Sequence, residues 1–258
     1  DGAGVNGTLD GNGDGTNGDE LRFVGAAPVT VDLTTSSATN INAFANLEIF
    51  TGGTGADTLV GTAGNDTFDI TADDAGTVAG VSFSSFENID GGDGDDTFDL
   101  TDTFGLTGTV TGNNGADTID YADYTTPITV DLATDTATNI GGFATIEDIV
   151  GPALAGNTVT AGPFATTFNL TGTDSGSITY DGKLTGFSGF DTLLGGTADD
   201  TFALYDGIVW AGTIDGGDGT NDALSYINYT AGATANLNTG IADGLNNGAF
   251  SNIESLVG

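Results

Sequence analysis

The chain has 258 residues, with 2 Lys plus Arg against 37 Asp plus Glu and a formal net charge of −35. Such a charge opposes compaction, and it excludes nucleic acid as a partner because the phosphates repel it. Cys, Met and His are all absent, which removes disulfides, thiolate and imidazole metal sites, serine-type triads and any imidazole base.

No apolar run reaches the length of a membrane-spanning helix, so no membrane span is expected. The apolar content is just sufficient for a folded chain whose charge is neutralised. Divalent cations bound through hard oxygens are the agents expected to neutralise it. No signal peptide appears and residue 1 is Asp, which reads as a processed or excised chain.

The first element is a loop, Asp10-Gly11-Asn12-Gly13-Asp14-Gly15, that begins like an EF-hand calcium loop. Leu21 stands where the bidentate Glu of that loop is required, although Asp19 and Glu20 lie close by. Alternatively the loop is an enlarged version of a later one at 215–222. Under either reading Asp10, Asn12, Asp14 and Asp19 are candidate cation ligands.

Short strands follow. Val29-Thr30-Val31-Asp32-Leu33 and Ile128-Thr129-Val130-Asp131-Leu132 alternate apolar and polar residues, as half-buried strands do. Thr, Val, Ile and Phe dominate these runs. No stretch shows a 3.6-residue apolar period, and 44 glycines would interrupt most helices.

Residues 52–69 carry one nine-residue phrase twice: a Gly-rich loop, then Asp, Thr and a large apolar residue. The phrase returns at 91–98, 112–119 and 195–202, and with one extra residue at 216–224. One phrase supplies one turn and one strand, so two abutting phrases predict a coil of 18 residues. The spacings from Gly91 to Gly112 and from Gly195 to Gly216 are both 21, again about one coil. A phrase without Asp, Gly151-Pro152-Ala153-Leu154-Ala155-Gly156-Asn157-Thr158, stands where another copy is expected.

A second motif is Phe-x-x-apolar-Glu at Phe44–Glu48, Phe83–Glu87, Phe143–Glu147 and Phe250–Glu254, with Asp191 in the Glu slot of Phe187–Asp191. Its acid is read as an acceptor of backbone hydrogen bonds at a coil corner, with calcium ligation as the alternative. A longer repeat contains both motifs. Leu9, Val110 and Ile214 open equivalent segments at offsets of 101 and 104 residues. The chain therefore reads as about two and a half tandem repeats of about 100 residues, at roughly 1–106, 107–211 and 212–258, in a single elongated domain. The predicted fold is all-β, a parallel β-solenoid of irregular coils with Gly/Asp turns.

The phrase resembles G-G-x-G-x-D-x-U-x, the calcium-binding nonapeptide of RTX (repeats-in-toxin, hemolysin-type) proteins. The matches are closest at 52–60, 61–69 and 91–99. The resemblance implies a loop that holds Ca2+ through backbone carbonyls and the Asp carboxylate, with the apolar eighth residue in the core. Carried over by position, the ligands are Asp57, Asp66, Asp96, Asp117, Asp200 and Asp222, with Asp93, Asn65 and Asp218 as auxiliaries. Only one tandem pair exists here, whereas the family stacks many. Read from the residues alone, the same loops are plain turns whose Asp caps backbone N–H groups.

No catalytic residue is assigned and no enzyme is expected. Lyases and epimerases of acidic sugars need cations, and this chain offers only Arg22 and Lys183. The expected function is a secreted, calcium-stabilised structural or adhesive module of a bacterial surface or extracellular filament protein. Open solenoid ends could stack end to end into a homopolymer. Two alternatives are a calcium-dependent carbohydrate- or ice-binding module, suggested by runs such as Thr158-Val159-Thr160, and, further off, a β-helix carbohydrate-active enzyme.

Overall fold

The computed structural model describes residues 5–12, 18–230, 232–245 and 250–258. Asp14, one of the candidate ligands, lies outside the described residues. The described residues are all β, without a helix, and no helix is therefore long and apolar enough to cross a membrane. The architecture is that of a parallel β-solenoid.

Two compact units are present: Asp1–Asp123 with Asn139–Ile146, and Tyr124–Thr138 with Glu147–Gly258. These are not the bounds of the sequence repeats. Strand pairing crosses chain order, since Ile140–Ala144 pairs with Leu106–Asn114 and so joins the first unit. Thr129–Asp131 pairs with Thr158–Thr160 and joins the second.

In the first unit the chain alternates between two sheets. One runs Thr30–Asp32, Thr58–Val60, Asn88–Asp93, Leu106–Asn114, Ile140–Ala144, all paired in parallel. The other runs Thr67–Ala72, Thr97–Leu100, Thr118–Asp120, also parallel. The tandem phrase at 52–69 thus gives one strand to each sheet. Return to the first sheet takes longer than the 18 residues expected, because Leu59 is in register with Ile89, 30 residues on. The difference is an antiparallel hairpin, Ala75–Val78 and Val81–Ser84, spliced into the second sheet. Where no hairpin intervenes, Ile89 pairs with Val110 and Phe98 with Ile119, which is the 21-residue spacing of the sequence.

The second unit repeats the plan. Thr129–Asp131, Thr158–Thr160, Thr192–Leu194, Thr213–Asp215 and Phe250–Ser251 form one parallel series. Thr167–Leu170, Thr201–Tyr205, Ala223–Asn228 and Ser255–Val257 form the other, with the hairpin Ser175–Tyr180 and Lys183–Ser188 inserted beside it.

Parallel, in-register strands stack like residues on like. Phe68 lies on Phe98 at 5.2 Å between ring centroids and Phe168 on Phe202 at 4.8 Å, both pairs stacked. The apolar eighth residues Leu59, Phe68, Phe98, Ile119, Phe202 and Leu224 are all fully buried. Burying each contributes about 1.5–3 kcal/mol. Phe98→Ala leaves a cavity between Phe68 and Ile119 that close neighbours cannot fill. It is expected to cost about 3–5 kcal/mol in denaturant unfolding, and a loss under about 1 kcal/mol would show that this stack is not a tightly packed core.

Candidate functional site

The corner acids come at the end of a Gly loop and immediately before a strand, and the coil at 52–69 carries two, Asp57 before a strand of one sheet and Asp66 before a strand of the other. The strand's apolar residue must face the core, so the acid two positions earlier faces it too. Asp57, Asp66, Asp96, Asp117, Asp200 and Asp222 are accordingly buried, none more than 7% exposed. A buried carboxylate needs donors, and the acid's own loop and the preceding coil supply them. Asp57 Oδ1 accepts the N–H of Val29 at 2.8 Å and Oδ2 that of Gly53 at 2.5 Å. Asp200 accepts Thr166 N–H and Gly196 N–H, both at 2.7 Å. Asp66 accepts the N–H and hydroxyl of Thr62.

The clasp then propagates. Asp66 N–H donates to Asp96 Oδ1 and Asp96 N–H to Asp117 Oδ1, both at 2.8 Å, and Asp200 N–H donates to Asp222 Oδ1 at 2.7 Å. Asp96, Asp117 and Asp222 each receive the corner N–H of the coil before. The second sequence motif proves to be the mating half of the first. Asp19 N–H donates to Glu48 Oε2 and Asp57 N–H to Glu87 Oε2, both at 2.7 Å, and Asp222 N–H to Glu254 Oε2 at 2.9 Å. Asp191 accepts Gly156 N–H in the same slot. The Glu motif therefore acts as the hydrogen-bond acceptor expected from its place at a corner.

The third residue of that motif has positive φ: Asn46, Ser85, Thr145, Gly189 and Asn252, at 54°, 58°, 50°, 77° and 51°. This left-handed turn aims its carbonyl at the Gly that opens the preceding loop. A Cβ on Gly52 would lie 1.9 Å from Ser85 O and 2.6 Å from Asp57 Oδ2. On Gly112 it would lie 2.2 Å from Thr145 O and 2.3 Å from Asp117 Oδ2. Glycine is required there because a carbonyl and a carboxylate oxygen converge on the space a side chain would take.

The N-terminal loop follows the same plan. A Cβ on Gly11 would meet Asn46 O at 2.1 Å and Asp19 Oδ2 at 2.7 Å. Asp19 is thus the corner acid of an enlarged loop, equivalent to Asp222, and the long-repeat reading of this segment is the one the geometry follows. Asp10 Oδ1 accepts Asn46 Nδ2 at 2.8 Å and Asn12 N–H at 3.0 Å, and the Asn46 bond first, then that from Asn12, holds its carboxyl below the usual range. The auxiliaries are exposed and link loops of successive coils. Asn65 Oδ1 accepts Asp95 N–H at 3.0 Å, and Asp93 Oδ1 accepts Asn114 Nδ2 at 2.8 Å. Asp218 is exposed in its own loop, and its N–H donates to Gly196 O at 2.9 Å.

Among the described residues no three carboxylates converge into a side-chain metal cluster. Each corner instead offers one carboxylate and neighbouring carbonyl oxygens, a donor set of the hard kind that suits Ca2+. The corners differ in what remains free. The oxygens of Asp57, Asp66 and Asp200 are held by the donors named above. Oδ2 of Asp96 and of Asp222 is buried and accepts no hydrogen bond. Beside Asp96 Oδ2 lies Gly112 O, and beside Asp222 Oδ2 lies Ala198 O, each pair converging on the Cβ position of a loop glycine. These two corners fit a cation best, because an orphaned buried oxygen opposite a carbonyl lacks a positive partner.

Burial raises the Asp96 carboxyl to about 6, and Asp117, Asp66 and Asp95 add to the shift against the Asp66 N–H bond. Burial likewise raises Asp200 and Asp222. Sequence reasoning missed the inequality of the corners, and it missed an in-register outward column of Asp69, Asp99 and Asp120. Both depend on which coils become neighbours.

No protein family, curated protein or solved structure matches this chain. The chemistry of the corners therefore rests on their own geometry. Asp96 favours its protonated form in the fold, so the stability it contributes is complete below about 3.8 and is lost as pH rises through about 6. Asp96→Asn keeps the acceptor for Asp66 N–H and removes the charge. In chelator, the variant is expected to gain melting temperature over the parent at about pH 7.5 and little or nothing at about pH 4. An equal difference at both pH values would refute a buried, strained carboxylate. Glu87→Ala leaves Asp57 N–H without its acceptor and is expected to cost about 1–3 kcal/mol in denaturant unfolding.

Proposed function

We propose that the chain is a structural or adhesive module of a secreted bacterial surface or extracellular filament protein, stiffened by calcium at its coil corners. The observation that carries the reading is the corner clasp, which spends the acids on holding coils together. The described grooves support it. One is lined by Asp73, Gly105, Leu106, Thr107 and Asn139–Gly141, and another by Thr234–Asn236, Thr239 and Ile241–Asp243, each with a single carboxylate. The proposal gives the module no catalytic role.

Calcium enters at the corners of Asp96 and Asp222, where a buried oxygen accepts no donor. Bound there, the ion would supply positive charge to the carboxylate and the carbonyls opposite. The chain's own part is to fix those oxygens through the Gly loop and the left-handed turn of the next coil. Its charge of −35 makes such neutralisation worth more than in an ordinary protein. End-to-end association of copies belongs to the same reading.

A second reading, a carbohydrate- or ice-binding module, has one observation in its favour. Thr129, Thr158, Thr192 and Thr213 stand in register across four parallel strands. The neighbouring column is Asp131, Thr160, Leu194 and Asp215, so the array is one threonine wide. The structural reading is therefore preferred.

Calorimetry in calcium and in EDTA, at matched ionic strength, tests the proposal. With calcium at about 100 times its dissociation constant, each corner is expected to add about 2.7 kcal/mol. A melting temperature indifferent to EDTA would remove calcium from the reading. Mass measurement under both conditions tests association, and a strict monomer in each would remove the homopolymer.

A further inference from the structure

The loop Gly151–Asn157 occupies in the long repeat the place of the loop Gly52–Asp57, with Asn157 where the corner acid stands. We infer that Asn157 is this chain's own replacement for a corner cation, its amide nitrogen holding from within the carbonyl oxygens a metal ion would otherwise hold. The inference rests on the calcium reading of the acid corners.

The geometry is that of a filled cradle. Asn157 is fully buried. Its Oδ1 accepts Ile128 N–H at 3.0 Å, as Asp57 Oδ1 accepts Val29 N–H at 2.8 Å. The half of the corner that clasps the preceding coil is therefore unchanged. The other half is reversed. Asn157 Nδ2 donates to Pro152 O at 2.7 Å, Leu154 O at 2.9 Å and Gly189 O at 2.6 Å. Three carbonyl oxygens converge on one nitrogen and share its two hydrogens, and the amide orientation is fixed by one donor on its oxygen and these acceptors around its nitrogen. Gly189 is the left-handed residue of the next coil, the counterpart of Ser85, whose carbonyl faces the Asp57 corner.

A second substitution accompanies the first. Gly53, whose N–H holds Asp57 Oδ2, is replaced by Pro152, which has no N–H. An acid at 157 would thus have no local donor for its second oxygen, and that oxygen would face three carbonyls. Asn supplies two hydrogens at that point and no charge. The tandem loop shows the same change, with Thr166 in the place of Asp66 and its hydroxyl donating to Phe164 O at 2.9 Å. The loop corners of the second unit therefore differ: Asn157 and Thr166 donate from their own side chains, Asp200 is held by backbone N–H groups, and Asp222 keeps an orphaned oxygen.

Two variants of the full chain test this, each melted in EDTA and in millimolar calcium chloride at neutral pH and matched ionic strength. Asn157→Asp is expected to melt about 10 °C below the parent in EDTA and to recover most of that loss in calcium. Asp222→Asn installs the amide at an orphaned corner. It is expected to melt above the parent in EDTA and to show a smaller calcium shift. The parent's own calcium shift reports on the acid-corner reading. The difference between Asn157→Asp and the parent reports on the replacement, so the two can fail separately. Equal loss by Asn157→Asp in both media, or failure to fold in either, overturns the inference, as does an Asp222→Asn chain that keeps the parent's full calcium shift.

Discussion

The structure depends on one contact repeated along the chain: a carboxylate of one coil, buried where it is Asp96, Asp117 or Asp222, accepting the corner N–H of the coil before it. Strand ladders hold neighbouring coils along their flat sides. At a corner the ladder is interrupted, and backbone groups there would be buried without partners. Asp96, Asp117, Asp222, Glu48, Glu87 and Glu254 close that gap with side-chain oxygens at 2.7–2.9 Å. The glycines, the left-handed turns and the two acid motifs are all consequences of fitting a carboxylate and a carbonyl into one corner.

The same contact creates the chain's electrostatic difficulty. Burying acids at successive corners leaves negative charge there without water, and burial first, with Asp117, Asp66 and Asp95 adding to it, raises the Asp96 carboxyl. The chain has almost no cations of its own to answer it. Arg22 is paired with Glu20 and Lys183 with Asp135, each at 2.7 Å. Lys183 also lies 5.2 Å from the centre of the Tyr180 ring, whose hydroxyl donates to Asp135, so it joins two hairpins of the second unit. The remaining means of relief are backbone N–H donors, a proton, an external cation, or replacement of the acid by an amide. Asp57, Asp200 and Asn157 show the first and the last within a single chain.

This variety matters for how such a module works. A corner completed by Gly53 N–H or by the Asn157 amide is stable without help, while one with an orphaned oxygen is sensitive to its surroundings. Under the proposed calcium reading, the chain would mix coils that are complete in themselves with coils that respond to ion supply.

The sequence by itself determined that the chain is β, that it turns at Gly loops, that a 21-residue coil exists and that Leu59, Phe68 and Phe98 face inward. Alternation and repetition are local properties, so they are legible in order along the chain. It also picked out Asp57, Asp66, Asp96, Asp117, Asp200 and Asp222, because the loop phrase marks them. The tertiary structure alone decided what those acids do. Whether Oδ2 of an acid meets an N–H, as at Asp57, or nothing, as at Asp222, depends on the loop conformation and on the coil that lands beside it. The pairing of the Gly loop with a Phe-x-x-apolar-Glu motif some 30 residues later, and the hairpin at 75–84 that lengthens that interval, are non-local facts. The cradle of Pro152, Leu154 and Gly189 around Asn157 was equally hidden, since its third oxygen comes from the next coil. In the sequence that loop is a copy that has lost its acid, and in the fold it is a corner that has supplied its own donor.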